Sequence, residues 1–289
     1  MLLRRPQLFK AKVDSLKATV ACLRTSMPLV DVGQLISRRP PQVLSSSADS
    51  VQEKLSFIAE VLEASQTSEA FSDFISTSCH QRLFSTPLAQ QQRGLAYLRT
   101  LGVQKAGCIQ ALRKGVVNVP AATMTQRAEH ITQRLNLSRY SLGVIVNSHP
   151  HVLSCTPSRI DINLATLTNL GFHPADVNDM AKRFPSLLFA DWNTSVRQEK
   201  WHYLSHVMGL NTSDIVQTPV MLRASVKGIL LPRWEFLKCV AIVQKVSHKD
   251  CIARMCSSIY QSDKGFALRN NVLQKHLLYT ECFKEACLK

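Results

Sequence analysis

Long apolar runs are absent from this sequence of 289 residues, and none approaches the roughly 18 residues that a membrane-spanning helix needs. Glycine is scarce, at 10 residues, and no stretch is dominated by the alternation of apolar and polar residues that marks a half-buried strand. The nine cysteines form no Cys-x-x-Cys pair, and their odd number in a long chain argues against a disulfide-stapled scaffold. The sequence therefore predicts an all-α protein with free thiols in a reducing compartment.

Acidic residues are also few, which leaves the chain strongly basic. Thirty-five Lys and Arg against twenty Asp and Glu give a net charge of +15 and a pI near 9.7. Such a balance indicates a polyanionic partner, most often nucleic acid, with an anionic membrane surface as the rival. Basic residues extend from one end of the chain to the other, and no single helix concentrates them as an interfacial anchor does. We therefore expect no membrane partner.

A proline followed by any residue and then two apolar residues recurs along the chain at intervals of 34 to 39 residues. Five copies keep the proline, as in PHVL, PSLL and PVML, and two degenerate copies have His or Gly in its place. The seven copies begin at Pro6, Pro41, His80, Gly115, Pro150, Pro185 and Pro219. A ladder of this regularity predicts a repeat protein.

Two stretches of apolar residues at helical spacing lie between successive copies. The first ends at a triplet such as LGF, at 170–172, which is typical of a helix that stops at glycine. The second is shorter, begins near a polar residue and runs into the proline, which cannot continue a helix. The candidate core residues are Leu95, Leu98, Ile131, Leu135, Leu164, Leu167, Leu170, Trp201, Leu204 and Met208 in the first stretches, and Val144, Ile145, Val177, Met180, Ile215 and Val216 in the second. The candidate helix starters are Ser138, Asp176 and Ser213.

A unit of about 35 residues with two short helices cannot bury its own apolar face, whereas stacked units can. The pattern therefore predicts a helical repeat solenoid, right- or left-handed, of about seven units with two helices and a proline-terminated turn each. We expect the solenoid to occupy residues 1–265. Residues 266–289 would form a C-terminal helical cap or tail.

Two groups of residues invite a reading as a metal or catalytic site. His149 and His151 precede Cys155 closely, but they stand at repeat positions whose residue type varies among the copies. His202 and His206 share a helical face, but the Glu of a zinc-protease helix is missing between them. The sequence also lacks a phosphate-binding glycine loop and a nucleophile elbow. We therefore expect no enzyme activity, no metal and no cofactor.

Basic residues recur at one place in the repeat, just before the proline. The position two residues before it holds Arg in four of the seven copies, and a neighbouring position adds a second cation. Cations at helix ends also suit the helix dipole, which is the structural alternative. The functional reading is a ridge that follows phosphates without reading sequence. The candidate contact residues are Arg38, Arg39, Arg82, Arg113, Lys114, His151, Arg159, Lys182, Arg183 and Arg223.

The repeat and its flanking segments resemble the mitochondrial transcription termination factor (mTERF) family. The resemblance rests on the Pro-x-Φ-Φ unit, the downstream Leu-Gly-Φ triplet and stretches such as LGFHPADVNDMAKRFPSLLF, where Φ is an apolar residue. VKGILLPRWEFL, at 226–237, resembles the C-terminal repeats of plant-type members. The similarity spans roughly residues 1–265, is clear at 138–240 and is weak at 70–135.

The resemblance implies a left-handed superhelix in which each unit has two α-helices and a short 3₁₀ turn. It implies a non-catalytic regulator of mitochondrial or chloroplast gene expression, including transcription termination, that binds double-stranded nucleic acid along a basic face. DNA is favoured as the partner and RNA is the alternative. In DNA-bound members, arginines two residues before the repeat proline make contacts, a position that Arg39 and Arg183 match and that Arg113 matches through a degenerate copy.

Other outcomes stay open at the level of sequence. RNA binding in intron splicing, rRNA processing or ribosome assembly would suit the same charge, and so would a protein-interaction scaffold with a partner in ribosome assembly. A pentatricopeptide array has a similar period but lacks the proline break. We expect a monomer. The first twenty residues carry five basic residues and one acid, as organellar transit peptides do. Because RRPQLF already matches a repeat, however, we expect no cleavable leader. We expect either that the sequence is truncated or that Met1 lies inside a longer protein.

Overall fold

The computed structural model of the chain describes residues 12–38, 44, 46–78, 83–84, 86–190, 192, 194–244, 247–259, 261 and 266. The chain divides into two compact units, with the boundary after Ile160. The described residues form helices and their connections, and no strand occurs among them. The predicted all-α class is therefore confirmed. None of the described helices combines the length and apolar character needed to cross a membrane.

The first unit consists of pairs of helices that follow one another along the chain. The helices are α1 (Val13–Ser26), α2 (Val32–Arg38), α3 (Ala48–Leu62), α4 (Glu69–Ser78), α5 (Leu88–Thr100), α6 (Lys105–Arg113), α7 (Ala121–Leu135) and α8 (Arg139–Ser148), and 3₁₀ turns occupy Val116–Asn118 and Pro150–Ser154. Contacts join α1 to α3, α3 to α6, α5 to α7, and α6 to α8, so each repeat packs on the next.

The second unit repeats the same order of elements. The helices are α9 (Pro157–Asn169), which begins just before the boundary, α10 (Pro174–Arg183), the single turn α11 (Ser186–Phe189), α12 (Ser195–His202), α13 (Thr212–Gln217), α14 (Leu231–Gln244) and α15 (His248–Ser258). Contacts join α10 to α13 and α14 to α15. A 3₁₀ turn occupies Pro219–Leu222, and π-helical turns occupy Tyr203–Val207 and Val226–Leu230.

The first helix of five consecutive repeats ends at or near a residue in the left-handed conformation, whereas α1 is capped by Met27 with φ of −132°. Gly102, Gly171 and Gly209 have φ values of 78°, 95° and 68°, a region that favours glycine because it has no Cβ. Asn136 and Glu63 take the same role with φ values of 49° and 54°. The predicted helix stops are therefore confirmed where the apolar-Gly-apolar or apolar-Asn-apolar triplet occurs.

The second helix of a repeat ends two residues before the repeat proline, and the residue directly before the proline is its C-cap. His149, Phe184 and Thr218 share φ near −134° and ψ near 67°, and each donates its N–H to the carbonyl four residues earlier. This backbone leaves the helix because a following proline disfavours the helical conformation. The next residues form a 3₁₀ turn after Pro150 and Pro219 but one α-helical turn after Pro185, so the 3₁₀ expectation is wrong for that copy.

Glycines let the second helices of the first unit approach one another closely. A Cβ on Gly143 would lie 2.1 Å from the carbonyl oxygen of Leu101, and one on Gly107 would lie 2.6 Å from Oδ1 of Asn147. The same Asn147 side chain accepts a hydrogen bond of 2.9 Å from the N–H of Gln104, at the start of α6. Because Gly107 and Gly143 have no side chain, α8 packs closely against the repeat before it.

In five repeats a buried or half-buried polar side chain on the first helix donates a hydrogen bond to the turn of the same repeat. Lys54, at the centre of α3, donates from Nζ to the carbonyl oxygen of Phe84. The same contact recurs along the chain, and we call its donors the turn donors: Lys54 to Phe84, Gln90 to Asn118 (2.6 Å), Arg127 to Leu153 (3.0 Å), Asn163 to Leu188 (2.8 Å) and Lys200 to Leu222 (3.2 Å). Each of these side chains thereby supplies a hydrogen-bond donor to a carbonyl of the turn.

Most of the predicted core residues are buried. In the first helices Leu170 and Trp201 are only half-buried, and in the second helices Val144 is 54% exposed, so Val144 is not a core residue. Of the predicted helix starters, Ser138 is the N-cap of α8 and accepts from the N–H of Ser141. His173 and Asn211 cap α10 and α13 in place of Asp176 and Ser213.

Candidate nucleic-acid interface

The position two residues before the repeat proline, or its substitute, is the last residue of the second helix. This holds in all five repeats in which that position is described, at Ser78, Arg113, Ser148, Arg183 and Gln217. The proline fixes where the helix ends, so the side chain that precedes it by two is placed at the same point of each repeat. We call this point the helix-end position.

Arg183, at the end of α10, is exposed and reaches the next repeat. Its Nη2 donates a hydrogen bond of 2.5 Å to the carbonyl oxygen of Val216, in the last turn of α13. The contact satisfies a helix-terminal carbonyl, as the dipole argument expects of a cation at this place. A guanidinium has five N–H donors, so this bond leaves most of them for another acceptor.

Arg113, at the end of α6, is held by the preceding repeat. Its Nη2 lies 3.8 Å from Oδ2 of Asp73, and its guanidinium carbon lies 5.6 Å from the centre of the Phe74 ring. Nε is buried and has no hydrogen-bond partner, and the side chain is 37% exposed. Arg113 is therefore engaged within the protein, whereas the neighbouring Lys114 is exposed.

The other candidate cations occupy different environments. Lys182 lies 3.5 Å from Asp179 one turn earlier on α10, and Arg223, just after the 219–222 turn, is exposed. His151 and Arg159 are exposed in the 150–154 turn and on α9. Arg39 and Arg82 lie outside the described residues, and Arg38 ends α2 with a side chain that is not described.

Charge is distributed far less evenly than the overall balance suggests. Residues 86–160, the basic block, hold nine Lys and Arg against one acid, Glu129. Residues 46–78, the acidic repeat, hold six acids against the single buried Lys54. All six carboxylate side chains of the acidic repeat are exposed. Counting charged residues in windows along the sequence reveals this contrast, which is not related to the position of the repeat proline.

Several cations of the basic block stand outside the predicted ridge. Arg93 and Arg134, on the first helices α5 and α7, are exposed, as is Lys105 at the start of α6. Arg139, on α8, is exposed and donates to the carbonyl oxygen of Thr100 over 3.2 Å. Counting back from the proline could not find these residues because they lie at the helix starts and on the first helices.

The histidines and cysteines form no reactive centre in the part of the chain described. Burial raises the pKa of the Cys155 thiol, which keeps it protonated and a poor metal ligand. The rings of His202 and His206 stack with centroids 4.4 Å apart on an exposed face. Among the described residues, no group of three or more His, Cys, Asp or Glu could hold a metal ion.

Stacked helix pairs and a helix end fixed by proline define a helical repeat protein. Residues 89–267, more than half of the chain, match the family model of mTERF. The protein therefore belongs to the mTERF family, whose fold is a helical repeat solenoid. Membership associates it with organellar nucleic-acid-binding regulation by generally non-catalytic proteins. No curated protein matches the chain.

Proposed function

We propose that the protein binds double-stranded DNA in mitochondria or chloroplasts and regulates transcription there, including its termination, without catalysing a reaction. The contacts go to phosphates, so binding positions the protein along the duplex. The basic block supplies most of the attraction, and Lys114, Arg183 and Arg223 add contacts at the turns. We propose His151, Arg159 and Lys182 as further contacts.

The observation that carries this proposal is the charge of the basic block within a member of this family. Nine cations against one acid over 75 residues produce a local positive potential that attracts a polyanion. Arg93, Lys114 and Arg134 are exposed, so their charged groups are accessible to a phosphate. Arg183 can do so with the donors that Val216 leaves unused.

Binding at two salt concentrations tests the proposal. Duplex DNA, structured RNA and single-stranded RNA of equal length are titrated into the whole protein at about 50 and 200 mM salt. With six phosphate contacts we expect the affinity for the duplex to fall by about a thousandfold between the two salt concentrations. Binding releases counterions from the duplex, and this release is less favourable at the higher concentration. No binding, or binding that is insensitive to salt, would contradict the proposal.

RNA binding is the second candidate, since a phosphate-tracking surface suits structured RNA equally well. Tighter binding of the structured RNA than of the DNA duplex would move the function to intron splicing, rRNA processing or ribosome assembly. A pull-down from organelles that recovers one protein and no nucleic acid would favour a scaffold in ribosome assembly.

A further inference from the structure

Helix α6 of the basic block is held at both ends by the acidic repeat. Nζ of Lys105, the first residue of α6, lies 2.5 Å from Oε2 of Glu63, just after α3. Arg113, the last residue of α6, pairs with Asp73 of α4 over 3.8 Å. Both cations of α6 that face the acidic repeat therefore already have a carboxylate partner.

These two ion pairs lie at the protein surface. Lys105 and Glu63 are 47% and 72% exposed, and Arg113 and Asp73 are 37% and 67% exposed. Exposed pairs contribute little to stability because water and salt screen them. A phosphate group, which accepts charge-assisted hydrogen bonds from both Lys and Arg, can compete with either carboxylate for its cation.

The remaining acids of the acidic repeat extend this effect over its surface. Asp49, Glu53, Glu60 and Glu69 are exposed, and no exposed Lys or Arg accompanies them between residues 46 and 78. The potential therefore changes sign between α4 and α6, within one unit of the protein. A polyanion that follows the basic block meets repulsion where it reaches the acidic repeat.

We propose that Glu63 and Asp73 act as internal competitors of nucleic acid for Lys105 and Arg113, and that the acidic repeat ends the phosphate-binding surface at the repeat formed by α5 and α6. This inference rests on the proposed function. A phosphate at Arg113 competes with Asp73 for the charge of the guanidinium, so the pairs weaken binding and set one boundary of the footprint. The predicted ridge is accordingly interrupted at this repeat.

The double variant Glu63→Gln with Asp73→Asn tests the competition. It frees two cations, so we expect duplex affinity at about 50 mM salt to rise by about three- to tenfold. The slope of log affinity against log salt should steepen by up to about 2, since each added phosphate contact contributes about 0.9. Hydroxyl-radical footprinting should show the protected region extended at one end. Adding Lys105→Gln and Arg113→Gln should abolish the gain.

The matched control is Glu53→Gln with Glu60→Gln, which removes the same charge from the same repeat and leaves both pairs intact. An equal gain in the control would overturn the proposal, because net charge alone would explain it. Unchanged or weaker binding of the test variant, with an unchanged melting temperature, would also overturn it. If the wild-type protein shows no salt-dependent binding, the proposed function itself is contradicted. This outcome is seen before any variant is compared.

Discussion

The guanidinium of Arg183 caps a neighbouring helix end and is also a proposed phosphate contact. It donates to the carbonyl oxygen of Val216, and it is exposed at the helix-end position. Helix capping by an exposed side chain contributes little energy, whereas a phosphate contact is charge-assisted. The two tasks therefore differ in which measurement detects them.

Arg183→Ala should weaken binding of duplex nucleic acid by about 1 kcal/mol or more and reduce the salt slope by about 1. The reason is the loss of one phosphate contact, and a titration at several salt concentrations measures it. Lys238→Ala is the control, because it removes one exposed positive charge from α14, away from the helix-end position. An affinity equal to that of the control would leave Arg183 with its capping task alone.

Lys200 is a buried cation that the fold retains for one hydrogen bond. Burial, with a smaller contribution from Arg197, lowers the pKa of Lys200 to about 8 from 10.5. Its Nζ donates to the carbonyl oxygen of Leu222, at the end of the 219–222 turn. The charged form is therefore disfavoured in the folded protein relative to the unfolded chain.

The free energy of unfolding should accordingly rise with pH between about 8 and 10.5 on account of Lys200. In that window the unfolded chain binds the proton that the folded protein has lost, and stability rises with pH wherever this is so. Below pH 8 the penalty is complete and constant. Urea unfolding of the wild type and of Lys200→Met at pH 7.5, 8.5 and 9.5 measures the difference, in which the titrations of other groups cancel.

Lys238→Met, at an exposed lysine, is the control for Lys200→Met and should follow the wild-type profile. Parallel profiles for Lys200→Met and the wild type would show that Lys200 is not desolvated in the fold. The stability of the wild type relative to Lys200→Met should be lowest at pH 7.5, where the wild type bears the full cost of the buried charge, and should rise with pH. At pH 9.5 the lost donor to the carbonyl of Leu222 makes Lys200→Met the less stable protein.

At the scale of elements, close helix packing depends on glycine in the first unit. Gly143→Ala would place a methyl group 2.1 Å from the carbonyl oxygen of Leu101, so α8 must move away. We expect a loss of about 1–3 kcal/mol in the free energy of unfolding, as for overpacked sites. Urea unfolding measures it.

Gly228→Ala is a suitable control because the nearest atom to its added methyl is the Ser225 hydroxyl oxygen, at 3.2 Å, which can rotate. Its cost should stay well below that of Gly143→Ala. A Gly143→Ala variant as stable as the wild type would mean that α8 adjusts its position at no cost.

Proline made the second helix and its end predictable from sequence, whereas the turn donors were hidden. Proline excludes the helical backbone at the residue before it, so one residue type marks the same place in repeat after repeat. The turn donors are Lys, Gln, Arg and Asn, and they share only an N–H group that can reach a carbonyl. Lys54, Arg127 and Lys200 each stand nine residues before the left-handed stop, a spacing that could have identified them.

At the scale of the whole molecule, the all-α class could be predicted from the sequence. The uneven distribution of charge could be found by counting residues in windows, but the ion pairs between repeats could not. The net charge of +15 combines a basic block with an acidic repeat, and only the fold brings Asp73 beside Arg113. Such pairing depends on which repeats are neighbours and on how far each side chain reaches. The predicted boundaries at residues 265 and 266 stay a prediction, as do the phosphate contacts of Arg39 and Arg82.

The turn donors have a consequence for how the protein yields to mechanical force. Donor and acceptor lie 22 to 30 residues apart within one repeat, so each repeat is a loop closed by its own hydrogen bond. A chain pulled from its two ends would keep each loop shut until that bond breaks. Extension would then proceed in steps, each releasing the 22 to 30 residues between donor and acceptor, or about 70 to 110 Å of extended chain.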